Sequence, residues 1–264
     1  MNKKKRIYYA RTYRRIKLDM KISILFTCLL MIPSVIVFIL NIDTITQKLA
    51  QISTWVLSQV FPTESISVIH SHYSIFGTMQ YVELPTTYPE FSTVCFNLVL
   101  CFGIYLLMRL FKQTGKPMGI FLLYTLLVHV VNCVFFVFGG EEFPYTLGGY
   151  SDLYIKQQIG IWIMFIILAS LVVGFIGKKM YGYKILTFLG IMLYSMIYGG
   201  VRYIVFLFFL HKFSVLYMAL MFFVIGPMFD FSYFVAIYAI FINKIIKEYD
   251  FGKKKGEWKY VTRL

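Results

Sequence analysis

Arg202 and Asp230 stand inside stretches that are otherwise strongly apolar, and they pose the chemical question of this 264-residue chain. An arginine deep in a bilayer costs about 2.5–3.5 kcal/mol on insertion scales, so it must face protein or a water-filled cavity and have a partner. Arg202 lies roughly 13 Å below the end of its stretch at 1.5 Å per residue. Asp230 is its counter-ion by charge, yet a straight helix would leave it roughly 12 Å further in. Gly226-Pro227 interrupts that helix and frees carbonyls that must be satisfied inside the protein, which gives the register room to change. Tyr194, Tyr198 and Tyr203 are neighbouring donors or acceptors, and Gly199-Gly200 lets another backbone or a ligand come close. The group reads either as a structural buried ion pair or as a polar pocket for an anionic headgroup or a peptide carboxylate.

His129, Asn132 and Cys133 fall at i, i+3 and i+4 and so share one helix face. They form either a polar seam against a neighbouring helix or the lining of a cavity. The four cysteines, Cys28, Cys95, Cys101 and Cys133, all lie in apolar stretches, where a thiol behaves as a small hydrophobe, and none has C-x-x-C spacing. His70-Ser-His72 would point both rings to one side of a strand, with Glu83 on the partner strand. Those ligand types suit zinc, but a further firm ligand is wanting, and no metal or other cofactor is expected. The chain has no phosphate-binding loop, nucleophile elbow, Asp-rich sugar-nucleotide motif or H-E-x-x-H, which argues against a glycosyltransferase or an ATP-driven pump.

Positioning these residues takes a membrane scaffold. Hydrophobic types make up 59% of the chain and charged ones 14%, against about 45–50% and about 25% in a soluble domain. A crossing helix needs about 20 residues for a hydrocarbon core of about 30 Å. Six stretches qualify: Ile22–Leu40, Phe91–Leu110, Met118–Phe138, Gln158–Ile176, Ile185–Leu210 and Phe213–Ile242. The net charge of +14 does not form a nucleic-acid face, because residues 1–21 hold nine Lys/Arg and residues 244–264 hold seven. Arg109, Lys112, Lys116, Lys178, Lys179 and Lys184 fall in the same-side loops, while seven of the twelve acids fall on the opposite side. The positive-inside rule then places both termini in the cytoplasm.

The expected fold is an all-α polytopic membrane protein of the plasma membrane with six transmembrane helices. Residues 1–21 form a basic cytoplasmic tail, 22–40 an uncleaved anchor helix, 41–90 an extracytoplasmic cap, 91–242 a five-helix bundle and 243–264 a second basic tail. Within the cap, Thr44 to Phe61 places Ile45, Leu49, Ile52, Val56 and Val60 on one stripe. That spacing predicts an amphipathic helix on the outer leaflet with Trp55 at the headgroups. From Ser65 to Leu84 the period shortens around Gly77-Thr78, which predicts a small β-hairpin.

From about Ser65 to Phe175 the chain resembles the exosortase/archaeosortase family in its compact Gram-positive form. The residues concerned are the extended Met79-Gln-Tyr-Val-Glu-Leu-Pro-Thr-Thr-Tyr-Pro-Glu90, the basic turn Arg109 to Lys116, Asn132-Cys-Val-Phe135 and Lys156-Gln-Gln-Ile-Gly160. The resemblance implies a membrane-embedded scaffold that handles C-terminal sorting signals of exported proteins by cysteine transpeptidation. Tyr88 stands where the family has Cys, Phe135 where it has Arg, and Lys156 where it has His. A shifted register takes Arg202 as the family Arg, with Gln158-Ile-Gly at the Cys position and Phe222-Phe-Val at the His position. Neither register supplies the thiolate and proton acceptor that transpeptidation needs.

The resulting expectation is a non-catalytic, exosortase-like subunit of a cell-envelope protein-sorting or surface-polysaccharide system. It would bind an exported peptide, a lipid-linked saccharide or a partner protein at the outer face. The candidate binding residues are Tyr88, Glu90 and Lys156 at the mouth, Arg202 and Asp230 within the bundle, and His129 and Asn132 on the third span. The expected partners are the lipid bilayer and other membrane proteins of an envelope assembly, with no nucleic acid. Two alternatives remain. One is a divergent membrane cysteine transpeptidase or peptidase using Cys95 or Cys133 with His129 or His70. The other is a small carrier with a midplane Arg202/Asp230 site. The Lys/Ile/Phe/Tyr bias fits a low-GC, Gram-positive bacterium.

Overall fold

A computed structural model describes residues 20–112, 114–175 and 181–252. The basic tails expected at 1–21 and 243–264 lie largely outside these residues, as do Lys178 and Lys179. The long helices are α1 (Met20–Leu40), α2 (Ile42–Val60), α3 (Phe91–Leu110), α4 (Pro117–Gly139), α5 (Leu147–Phe175), α6 (Tyr181–Lys212) and α7 (Gly226–Gly252). A 3₁₀ turn at Val215–Tyr217, a helical turn at Met218–Leu220 and a π turn at Met221–Ile225 lead into α7. Among the described residues, six helical segments are long and apolar enough to cross a membrane, namely α1, α3, α4, α5, α6 and the composite Val215–Lys244. The protein is therefore a multi-pass membrane protein, with α2 and a two-stranded antiparallel hairpin as its elements outside the spans.

The spans form because apolar runs leave the backbone no partner but itself in lipid. Pro117 opens α4 at its first turn, where the missing N–H costs nothing. Hydropathy marks the lipid-matched part of a helix rather than the whole of it, and α5 illustrates this. It begins at Leu147, eleven residues ahead of the predicted Gln158. The added turns carry Ser151, Asp152 and Lys156, which lie under the cap.

The core sits between α5 and α6, with α1, α2 and α7 around them. Trp162, Tyr150, Tyr154, Tyr203 and Phe165 are its largest buried side chains. α1 crosses α5 so closely that a Cβ on Gly174 would fall 1.9 Å from the Thr27 hydroxyl. α3 and α4 pack on each other and reach the rest mainly through residues 215–220, where Val94, Cys133 and Leu216 form a small separate cluster.

The hairpin pairs β1 (Ser67–His72) with β2 (Thr78–Glu83) in the register His70 opposite Gln80. Gly77, at φ +83°, makes the tight reversal. α2 turns a second face, of mostly small residues, toward the protein. Its buried face is Ile42, Thr46, Ala50, Ser53 and Leu57, packed on the hairpin and α6. Of the predicted stripe, Ile52 and Val60 are exposed, as is Trp55. Small residues let β2 and α6 approach α2 closely; Ile45 and Leu49 of the stripe pack at the core margin, and Ile52 and Val60 are left for the exterior.

Candidate functional site

Four residues from two neighbouring helices, α5 and α7, converge on Arg202. It lies in α6 at 4% exposure, and Asp230 lies in α7 at 2%. The guanidinium Nε donates to the Tyr154 hydroxyl at 2.7 Å, Nη1 to the Gly226 carbonyl at 2.7 Å, and Nη2 to Gln158 Oε1 at 2.7 Å. Asp230 Oδ2 stands 2.8 Å from Nη1. The contact is a close ion pair, and Nη1, which carries two protons, gives one of them to Gly226. The Tyr154 hydroxyl donates onward to the Gly199 carbonyl, and Tyr233 donates to Ser195 beside Asp230. The arginine's three nitrogens are thus all engaged by the protein's own groups.

The π turn makes this possible. The Gly226 N–H bonds back to the Met221 carbonyl, five residues earlier, and Pro227 follows with no N–H to give. The chain between Val215 and Gly226 passes through 3₁₀, α and π turns instead of one straight helix. That irregularity, with the reach of the arginine side chain, closes the gap of roughly 12 Å expected for straight helices. Gly199 is needed for the same packing, since a Cβ there would fall 2.7 Å from Gln158 Nε2.

The same helices hold the hairpin by its backbone. The Tyr203 hydroxyl accepts from the Val82 N–H at 2.9 Å and also bonds Ser151. The Thr46 hydroxyl accepts from the Gln80 N–H at 3.2 Å. Tyr154 stacks on Tyr203 with ring centres 5.2 Å apart, which joins the hairpin anchor to the arginine cluster. Tyr81 on β2 has its phenol pushed above its ordinary value by burial and by the Asp152 and Glu83 carboxylates, so it stays neutral. His211, at the end of α6, closes the linker after β2: its Nδ1–H donates to the Pro85 carbonyl at 2.9 Å, while the Thr87 hydroxyl donates to the His211 carbonyl.

The candidate residues fall into separate places. Arg202 and Asp230 meet. His129 and Asn132 form a seam: His129 Nε2 lies 3.2 Å from Asn97 Oδ1, Tyr217 donates to the same oxygen at 3.0 Å and stacks on the imidazole, and Asn132 donates to the Leu216 carbonyl. Of the two readings left open for that face, the structure displays helix-to-helix bonding. Lys156 pairs with Asp152 at 2.6 Å and lies over the Tyr73 ring. Glu90 precedes α3 and accepts from Ser92, and Tyr88 is half-exposed. No bond among the described residues joins Tyr88, Glu90 and Lys156 to one another.

Glu83 is a correction. It pairs with Ser67, so it lies on the opposite face of the hairpin from His70 and His72. Among the described residues no group of three His, Cys, Asp or Glu is placed to hold a metal. Cys101 and Cys133 are buried, and none of the four thiols bonds a histidine among the described residues.

Of the two registers of the exosortase resemblance, the first scatters its positions. Phe135 packs among Phe136 and Phe143, away from Tyr88 and Lys156. The second brings Gln158 and Arg202 into direct contact, with Phe222 packed on Tyr150 two helix turns away along the same α5 face. Tyr154, Tyr233, Thr46 and His211 were missed as positioning residues. The row Tyr150, Tyr154, Gln158 at i, i+4 and i+8 was the available signal. The chain matches no family model, no curated protein and no solved structure.

Proposed function

We propose that this chain is a non-catalytic, exosortase-like subunit of a cell-envelope assembly in the plasma membrane of a Gram-positive bacterium. Both termini lie in the cytoplasm, and the hairpin cap is held over the outer ends of α5 and α6 to bind an exported partner. The observation that carries the reading is the occupancy of Arg202. In the register that brings its residues together, Gln158 takes the nucleophile's place and donates nothing reactive. The guanidinium is spent on Tyr154, Gln158, Gly226 and Asp230, so the bundle uses it to fix its own helices and the cap above them.

The test is a thiol-free chain, with Cys28, Cys95, Cys101 and Cys133 all replaced by serine. It is compared with the parent for partner binding in membranes and for complementation of a deletion strain. Full function without any cysteine is expected. Loss of function in a folded, membrane-inserted thiol-free chain would return the protein to the transpeptidase class.

A second reading rests on one specific observation, the buried ion pair beside a π turn and a Gly-Pro break. Interrupted helices of this kind form midplane sites in carriers. If the protein is a carrier, Asp230→Asn abolishes uptake in reconstituted vesicles while the bundle stays folded.

A further inference from the structure

The two edges of the hairpin are treated differently. Val82 and Gln80 turn their N–H groups away from β1, and these are taken by Tyr203 and Thr46. Their register partners on β1 are Val68 and His70. In an antiparallel pair, opposed residues point their backbone groups either toward each other or both away. Tyr73 N–H bonding to the Gly77 carbonyl fixes the phase: residues 67, 69, 71 and 73 face β2, and 68, 70 and 72 face outward. Among the described residues the outward N–H groups of Val68, His70 and His72 have no partner. Ser67, His70 and His72 are exposed, so this edge lies open. One edge of the hairpin is sealed by two hydroxyls from two helices, and the other presents a row of free backbone groups.

Such a row recognises extended polypeptide backbone and little else. The surroundings add a charge preference. Glu64, Asp43, Glu90 and Glu142 are exposed in the segments at this end of the bundle, against Lys48 and Lys212, while Lys156 is already paired with Asp152. An open cleft touching Ser65, Ser67, Glu83 and Thr86 continues from the start of β1 and holds a further carboxylate.

We propose that the free edge of β1 binds an extended, lysine- or arginine-bearing segment of an exported polypeptide by strand addition. Val68 and His70 supply the backbone bonds, and the acidic rim selects the charge. This deepens the outer-face binding reading above and rests on it.

The test uses the full chain in lipid nanodiscs and a fluorescent peptide of about eight residues, alternating valine and lysine. Three controls accompany it: the same peptide N-methylated at alternate residues, one with glutamate in place of lysine, and a soluble envelope saccharide. His70→Pro is the matching protein variant, since the 70 N–H takes no part in pairing with β2 and edge strands tolerate proline. The lysine peptide should bind, more weakly as salt rises. N-methylation takes two donors from the peptide and should weaken binding about tenfold or more, while His70→Pro removes a single N–H and should weaken it about threefold. The glutamate peptide should not compete. The N-methylated peptide leaves the protein untouched, so the test survives if His70→Pro does not fold. Equal binding of native and N-methylated peptides would overturn strand addition while leaving outer-face binding intact. Saccharide binding alone would do the same. Self-association of the chain that His70→Pro removes would assign the edge to a second copy and overturn the proposal. Absence of binding to every probe would remove both readings together.

Discussion

Two polar clusters among the described residues of the spans are built on different principles. Around Arg202 a full charge pair is buried at 4% and 2% exposure and tied to α5, α6, α7 and, through Tyr154 and Tyr203, to the hairpin. Around His129 the partners are amides and a phenol with no full charge pair among them, and Asn97, Asn132 and Tyr217 join α3 and α4 to the short turns after α6. A buried charge deprived of its partner is expensive, whereas an interhelical neutral bond in a membrane is worth little. The first cluster therefore governs whether the bundle and cap exist as one body. The second governs only how firmly the α3–α4 pair is attached.

The largest break in this contrast should come from Arg202→Gln. It strands Asp230 in the core and should lower stability by about 3–5 kcal/mol, seen as loss of folded protein in thermal unfolding in detergent. Gly174→Ala follows. Its Cβ meets Thr27, so overpacking between α1 and α5 should cost about 1–3 kcal/mol on the same scale. Tyr203→Phe removes the acceptor of the buried Val82 N–H and should cost about 1–3 kcal/mol. Its distinguishing mark is faster hydrogen exchange in β2 with the spans still protected. Asn132→Ala should cost only about 0.6 kcal/mol, with thiol labelling of Cys133 as the sensitive readout. An Asn132 effect as large as that of Arg202 would erase the distinction.

How much of this was legible in the sequence depended on which signal each part carries. The six spans, the amphipathic helix and the hairpin were legible because apolar length and period report directly on lipid and on strand pairing. Arg202 and Asp230 were legible as a pair because a charge in a span has few ways to exist. Gly226-Pro227 marked the break that lets them meet, but the π turn at Met221–Ile225 that carries it out leaves no further mark. The protein-facing side of α2 was not legible because Thr46, Ala50 and Ser53 are small rather than hydrophobic, and they are buried for close approach. Gln158 and Tyr154 carried no composition signal at all, for tyrosine and glutamine are ordinary near membrane surfaces. Only their four-residue spacing on the Arg202 side of α5 could have singled them out.

The central claim is that Arg202 holds the bundle together and does not hold a ligand. A buried ion pair replaced whole by apolar residues of similar volume is often tolerated, whereas one broken by half is not. Thermal unfolding and partner binding of the double variant Arg202→Met/Asp230→Leu, set beside Arg202→Met alone, tests this most directly. The double variant should fold near parental stability and bind its outer-face partner, while the single variant fails to fold. A double variant that folds fully yet binds nothing would make Arg202 a ligand-binding residue and contradict the account.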